Sequence, residues 1–241
     1  MPKLVDSKDS SRLFHNPALI AVEFLAFLFA LSLHEAAHAW MAHLRGDDTA
    51  MLLGRVTLNP LKHIELLGSI LFPLLMLISG AGWLFGWARP TPVDVSRLKN
   101  RKWDDILVSL AGPASNLLMA CLSALLLLII RRFQPAAFSS ILYPTGSAGW
   151  LAPITNLAYY SLVLNIILAV FNIIPIPPLD GSHVLSHLLP ETLRAPYRRL
   201  YGHGWLCLLL LLGIIYLGVP NRLFLPVLLF FRGVFGLHGI L

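Results

Sequence analysis

One stretch limits this chain more than any other. It is the apolar run from Pro17 to Leu44, which carries His34-Glu35-Ala36-Ala37-His38 near its end. The flank Phe24-Leu25-Ala26-Phe27-Leu28-Phe29-Ala30-Leu31 suits lipid rather than water. A helix turns once in about 3.6 residues, so two histidines four apart share one face. Their imidazoles can grip one zinc ion at roughly 2.0–2.1 Å each. Glu35 follows on the same turn and can reach a water on that metal, which is the arrangement of two ligands and a general base. Acidic and basic side chains in the middle of a bilayer cost about 2.5–3.5 kcal/mol each on insertion scales, and a metal supplies the compensating partner.

Composition places the rest of the chain in the same solvent. Of 241 residues, 57% are hydrophobic and 12% charged, against about 25% charged in a soluble domain. Several runs approach the ~20 residues that span a bilayer. The sequence therefore reads as an all-α polytopic membrane protein. The formal charge of +6 comes from basic residues in short loops between apolar runs. Orientation in the membrane explains them, and without aromatic interleaving no nucleic-acid partner is expected. Cys121 and Cys207 stand singly in apolar runs and read as small buried hydrophobes. Residues 1–16 are a polar lead-in with no secretory pattern.

In chain order, five full transmembrane helices are expected, at 17–44, 106–130, 154–174, 204–219 and 223–241. Residues 50–57 read as a short β-like hairpin after the first span. Residues 61–87 are apolar but interrupted by Gly68, Pro73, Gly80, Gly82 and Gly86. The layout is a lead-in (1–16), a membrane core (17–184) and a C-terminal basic loop with two accessory helices (185–241).

A catalytic zinc usually has three protein ligands and one open position. Asp180 is the best candidate for the third. It follows Pro175, Pro177 and Pro178, which stop a regular helix, and precedes Gly181, which frees the backbone. An acidic side chain on unwound backbone at a helix end belongs where it lines a cavity or binds something.

His34-Glu35-Ala36-Ala37-His38, taken with Asn172-x-x-Pro175-x-Pro177-Pro178-Leu179-Asp180-Gly181, resembles the site-2 protease family of intramembrane zinc metalloproteases. Gly112-Pro113-Ala114-Ser115-Asn116 and Gly86-Trp87-Ala88-Arg89-Pro90 are similar to positions of its compact bacterial branch. The resemblance implies Zn2+ held by His34, His38 and Asp180, with Glu35 as base. It implies that Asn172 steadies the substrate backbone or the developing oxyanion. It also implies a transmembrane protein substrate within the lipid bilayer. Ser182 departs from the second glycine that many members carry, and the PDZ or CBS domains of some members have no counterpart.

Both motifs lie toward the C-terminal ends of their spans, so the spans must run in the same direction. Two full crossings between them would forbid that, and 61–87 is therefore expected to be a re-entrant or tilted segment. In that layout the motif side carries twelve basic residues and the other side six of the 18. This puts the site toward the cytoplasmic side of the cell membrane. Intramembrane His, Glu and Asp also mark ion paths, so an ion- or proton-coupled transporter is the alternative. The repeats common in transporters are absent from the sequence. His43, His63, His183 and His187 are expected to be solvated near the interface. Glu23 is expected near the outer headgroups, and Asn116 to make a helix-packing hydrogen bond.

Overall fold

The computed structural model describes residues 17–79, 86–139, 141, 149–237 and 240, so the N-terminal lead-in lies outside it. The chain begins with α1 (Pro17–Leu44) and a short turn, α2 (Thr49–Leu52). A π-helical segment (Leu66–Leu71) then leads into α3 (Phe72–Ser79). The long α4 (Trp103–Phe133) follows, with α5 (Pro135–Ser139) and α6 (Leu151–Asn172) after it. The C-terminal part holds α7 (Asp180–Leu188), α8 (Glu191–Arg199), α9 (Gly204–Tyr216) and α10 (Val219–Val234).

Three of these helices, α1, α4 and α6, are long and apolar enough to cross a membrane. At ~1.5 Å per residue, α9 with 13 residues and α10 with 16 reach about 20 and 24 Å. Both fall short of the ~30 Å hydrocarbon core. Phe29, Leu118 and Leu122 stay at least half exposed on α1 and α4, as side chains solvated by lipid can.

The core joins the three long helices. Ala120, Ala124 and Leu127 of α4 pack on Ala158, Leu162 and Ile166 of α6, with Phe231 of α10 at the edge. A second cluster sets Ala26, Phe27 and Leu31 of α1 against Leu164 of α6 and Ala88. The alanines let backbones approach closely, which lipid-embedded helices need because apolar burial alone gives them little. Side-chain bonds fix the register: Asn116 meets Asn165 and Ser123 meets Ser161, while His34 meets Asn116 and His38 meets the Val108 carbonyl. Helix α4 thus runs antiparallel to both neighbours, and α1 and α6 run the same way.

Residues 50–57 do not form the expected hairpin, and no strand occurs among the described residues. The reason lies just upstream. The carboxylate of Asp47, fully buried, accepts the amide and hydroxyl of Thr49, which starts a helical turn where a strand would begin. The Arg55 side chain then folds back onto the Lys62 carbonyl.

Within 61–87, the described residues on the two sides of 80–85 meet. Glu65 caps the helical segment by accepting the Leu67 and Gly68 amides. Residues 80–85, including Gly80 and Gly82, lie outside the described residues. Beyond them the Trp87 amide donates to the Gly68 carbonyl at 3.1 Å. Ser69 Oγ donates to the Trp87 carbonyl at 2.7 Å and the Arg89 amide to the His63 carbonyl at 2.8 Å. A Cβ at Gly68 would fall inside the Trp87 indole, so only glycine admits this return.

Candidate metal centre

Helix α1 brings the Nε2 atoms of His34 and His38 to 3.1 Å from each other. Asp180 arrives as the first residue of α7, after the extended Leu179. The preceding proline turn, with a cis Pro177–Pro178 bond, is pinned by the Tyr197 hydroxyl, which donates to the Pro175 carbonyl at 2.9 Å. Burial pushes that hydroxyl up to about 12, so it remains a donor at neutral pH. Asp180 Oδ2 then lies 3.2 Å from His34 Nε2 and 3.4 Å from His38 Nε2.

The bonds on the far side of each imidazole decide what meets in this triangle. His38 Nδ1 faces the Val108 carbonyl at 2.7 Å, which only accepts, so Nδ1 carries the proton. His34 Nδ1 faces Asn116 Oδ1 at 2.6 Å and is a donor for the same reason. In the neutral imidazoles both Nε2 atoms therefore present lone pairs. Asp180 Oδ2 presents another and is buried without a hydrogen-bond partner. Three lone pairs converging in a buried space repel one another unless a cation lies among them. Tetrahedral zinc with ligands at roughly 2.0–2.1 Å sets neighbouring ligand atoms about 3.3–3.4 Å apart. The observed edges are 3.1, 3.2 and 3.4 Å, so the trio fits the ion and can hold it.

One face of α4 backs the whole cluster. Asp105, Val108, Gly112 and Asn116 recur at helical spacing and are all buried. Val108 and Asn116 serve the two histidines. Asp105 Oδ2 bonds His187 Nε2 at 2.7 Å and so ties down the helix that begins with Asp180. Gly112 faces the gap itself, since a Cβ there would meet Cε1 of His34 at 2.6 Å and the His38 ring.

Glu35 is tied to the connection that leads into α4. Its Oε2 accepts the Thr91 amide at 2.8 Å, and its backbone carbonyl accepts the Thr91 hydroxyl at 3.0 Å. No described residue bonds Oε1. Thr91 stands between Pro90 and Pro92, which have no amide hydrogen, so its own N–H is the one donor there. The connection holding Thr91 is fastened again where Asp47 Oδ2 accepts the Asp94 amide at 2.7 Å. The hydroxyl and amide of Ser96 hold the Asp94 carboxyl below the usual carboxylate range. The sequence offered one sign of Thr91, its flanking prolines.

The expected site residues divide. His34, His38 and Asp180 come together, with Glu35 next to them on α1. Asn172 ends α6 and lines a cavity of about 190 Å³ with Asp180, Pro113 and Gly181. Its own amide, however, donates to the Leu168 carbonyl at 2.9 Å. Two histidines expected to be solvated are buried, because each finds an acceptor. His63 bonds the Thr57 carbonyl at 2.8 Å, and His187 bonds Asp105. His183 sits 3.5 Å from Asp105 rather than joining the trio. His43 is half-buried and pairs with the exposed Asp48 at 2.5 Å.

Residues 22–215 match the model of peptidase family M50. YwhC of Bacillus subtilis, whose name assigns it provisionally to the zinc metalloproteases, is 36% identical over 202 residues, covering 83% of each chain. Rip2 of Mycolicibacterium smegmatis, named in the same way, is 34% identical over 170 residues, 70% of this chain and 58% of its own length. Rip2 of Mycobacterium tuberculosis H37Rv is 35% identical over the same span. No solved structure matches. With most of its length matched by the family and a relative of nearly its own size at this identity, the chain belongs to peptidase family M50.

Proposed function

We propose that this chain is an intramembrane zinc metalloprotease that hydrolyses peptide bonds within or near transmembrane segments of membrane proteins. The observation that carries the reading is the convergence of three lone pairs, from His34, His38 and Asp180, beside the carboxylate of Glu35. In it, His34, His38 and Asp180 hold the zinc. Zinc bound there lowers the pKa of water toward ~7 and polarises the scissile carbonyl. Glu35, steadied at Oε2 by Thr91, takes the water's proton on Oε1 and later delivers it to the leaving amine. Asn172 is well sited for the substrate backbone: releasing the Leu168 carbonyl would turn its amide toward the cavity it shares with Asp180. A transmembrane substrate hides its peptide bonds in helical hydrogen bonds and must unwind first, so cuts near Gly, Pro or other weak helix formers are expected.

The parallel course of α1 and α6 supports a single full crossing, α4, between them. The return of Trp87 to Gly68 supports 61–87 as a re-entrant segment. Residues 17–184 then form the catalytic core, and α9 and α10 complete the five-crossing layout with local thinning of the bilayer. The excess of basic residues on the motif side supports a site facing the cytoplasm at the cell membrane. The reading is tested with purified protein in proteoliposomes and a transmembrane peptide as substrate. Zinc-dependent cleavage within the apolar stretch is expected, and an intact peptide with zinc bound would refute it.

A further inference from the structure

A chain of amides links the site to a helix that contributes no ligand. Asn116 and Asn165 are both buried, at 0% and 1% exposure. Asn116 Nδ2 donates to Asn165 Oδ1 at 2.7 Å and to the Ala30 carbonyl at 3.3 Å. Asn165 Nδ2 donates to the Ser161 carbonyl at 2.8 Å. Carbonyls only accept, so both ends of this chain fix its direction whichever way the amides are drawn. Asn165 must offer its oxygen to Asn116, and Asn116 must then offer its oxygen to His34 Nδ1. The imidazole is left with its proton on Nδ1 and its lone pair on Nε2.

We propose that Asn165 of α6 is a positioning residue for the metal: acting through Asn116, it holds His34 in the tautomer and ring orientation that bind zinc. This rests on the reading of His34, His38 and Asp180 as the zinc ligands. Groups that orient metal-bound histidines typically contribute 10–100-fold to affinity. With Asn165 replaced by an apolar residue of similar size, the Asn116 amide keeps only the longer bond to Ala30. It is then free to turn its NH2 toward His34, which would move the lone pair to Nδ1.

The test measures zinc affinity of the detergent-solubilised full chain by competition with a chromogenic chelator, at a temperature where every variant is folded. Asn165→Leu should bind zinc about ten-fold more weakly, and Asn116→Leu up to about 100-fold. Asn165→Asp should stay within about three-fold of the parent, since its carboxyl keeps the acceptor for Asn116. The double variant Asn116→Leu/Asn165→Leu should bind no more weakly than Asn116→Leu alone, because one residue acts through the other. The visible absorption of the cobalt-substituted protein should change in Asn165→Leu and return to the parent form in Asn165→Asp. Unchanged zinc affinity in Asn165→Leu, or additive losses in the double variant, would overturn the proposal. Should the parent itself bind no zinc, the ligand assignment fails rather than the relay.

Discussion

Gly112 stands against His38 with room for no side chain: a methyl group there would strike the His38 ring and come within 2.6 Å of Cε1 of His34. Alanine is otherwise favoured over glycine in a helix by about 1 kcal/mol. Gly112→Ala should therefore leave the fold intact while zinc affinity falls at least ten-fold. Helicity by circular dichroism and bound metal by mass spectrometry check the two halves of this expectation.

Glu35→Gln removes the proton acceptor and keeps the shape. The Gln amide oxygen can still accept from Thr91. Cleavage should drop at least 10²-fold with one equivalent of zinc retained. Full activity in this variant would end the assignment of Glu35 as base.

Asp180→Asn takes the negative charge from a triangle that otherwise holds two neutral imidazoles. Zinc should be lost to a mild chelator at concentrations that leave the parent loaded, and activity should vanish with it. Treating the parent with 1,10-phenanthroline should also stop cleavage, and added zinc should restore it; restoration in the variant should need a large excess.

His187 is buried against Asp105 at 2.7 Å. Hydrogen bonds to charged groups contribute about 1.5–3 kcal/mol, and without His187 the Asp105 carboxylate keeps only the longer approach of His183, at 3.5 Å. His187→Ala should lower the stability of the protein in micelles by about this amount, read from its denaturation midpoint. It should also weaken zinc binding, because α7 then holds Asp180 less firmly.

Orientation is open to labelling. A single cysteine at Arg198, in a background lacking Cys121 and Cys207, should react with a membrane-impermeant maleimide only in inverted vesicles or broken cells. One at Arg131 should react in intact spheroplasts. The opposite pattern would reverse the sidedness read from the basic residues.

The parts of the site that the sequence disclosed are those governed by short-range rules. The spacing of His34 and His38 follows from the helical repeat, and the prolines before Asp180 mark where backbone regularity must stop. What stayed hidden depends on partners far along the chain. Asn116 read as a packing residue because nothing local shows that it meets His34, 82 positions earlier. His63 and His187 read as solvated because their acceptors, Thr57 and Asp105, become neighbours only after folding. The hairpin expected at 50–57 followed the β-branched and apolar residues there. The buried carboxylate of Asp47 outweighs that preference by satisfying Thr49 in a helical turn.

Asp105, Val108, Gly112 and Asn116 share one edge of α4, and this constrains how the molecule can admit a substrate. Turning that rod by one position, about 100°, would uncouple both imidazoles and Asp180 in the same movement. The strap through Thr91 adds a separate anchor for Glu35, so the base and the trio are held by different parts of the chain.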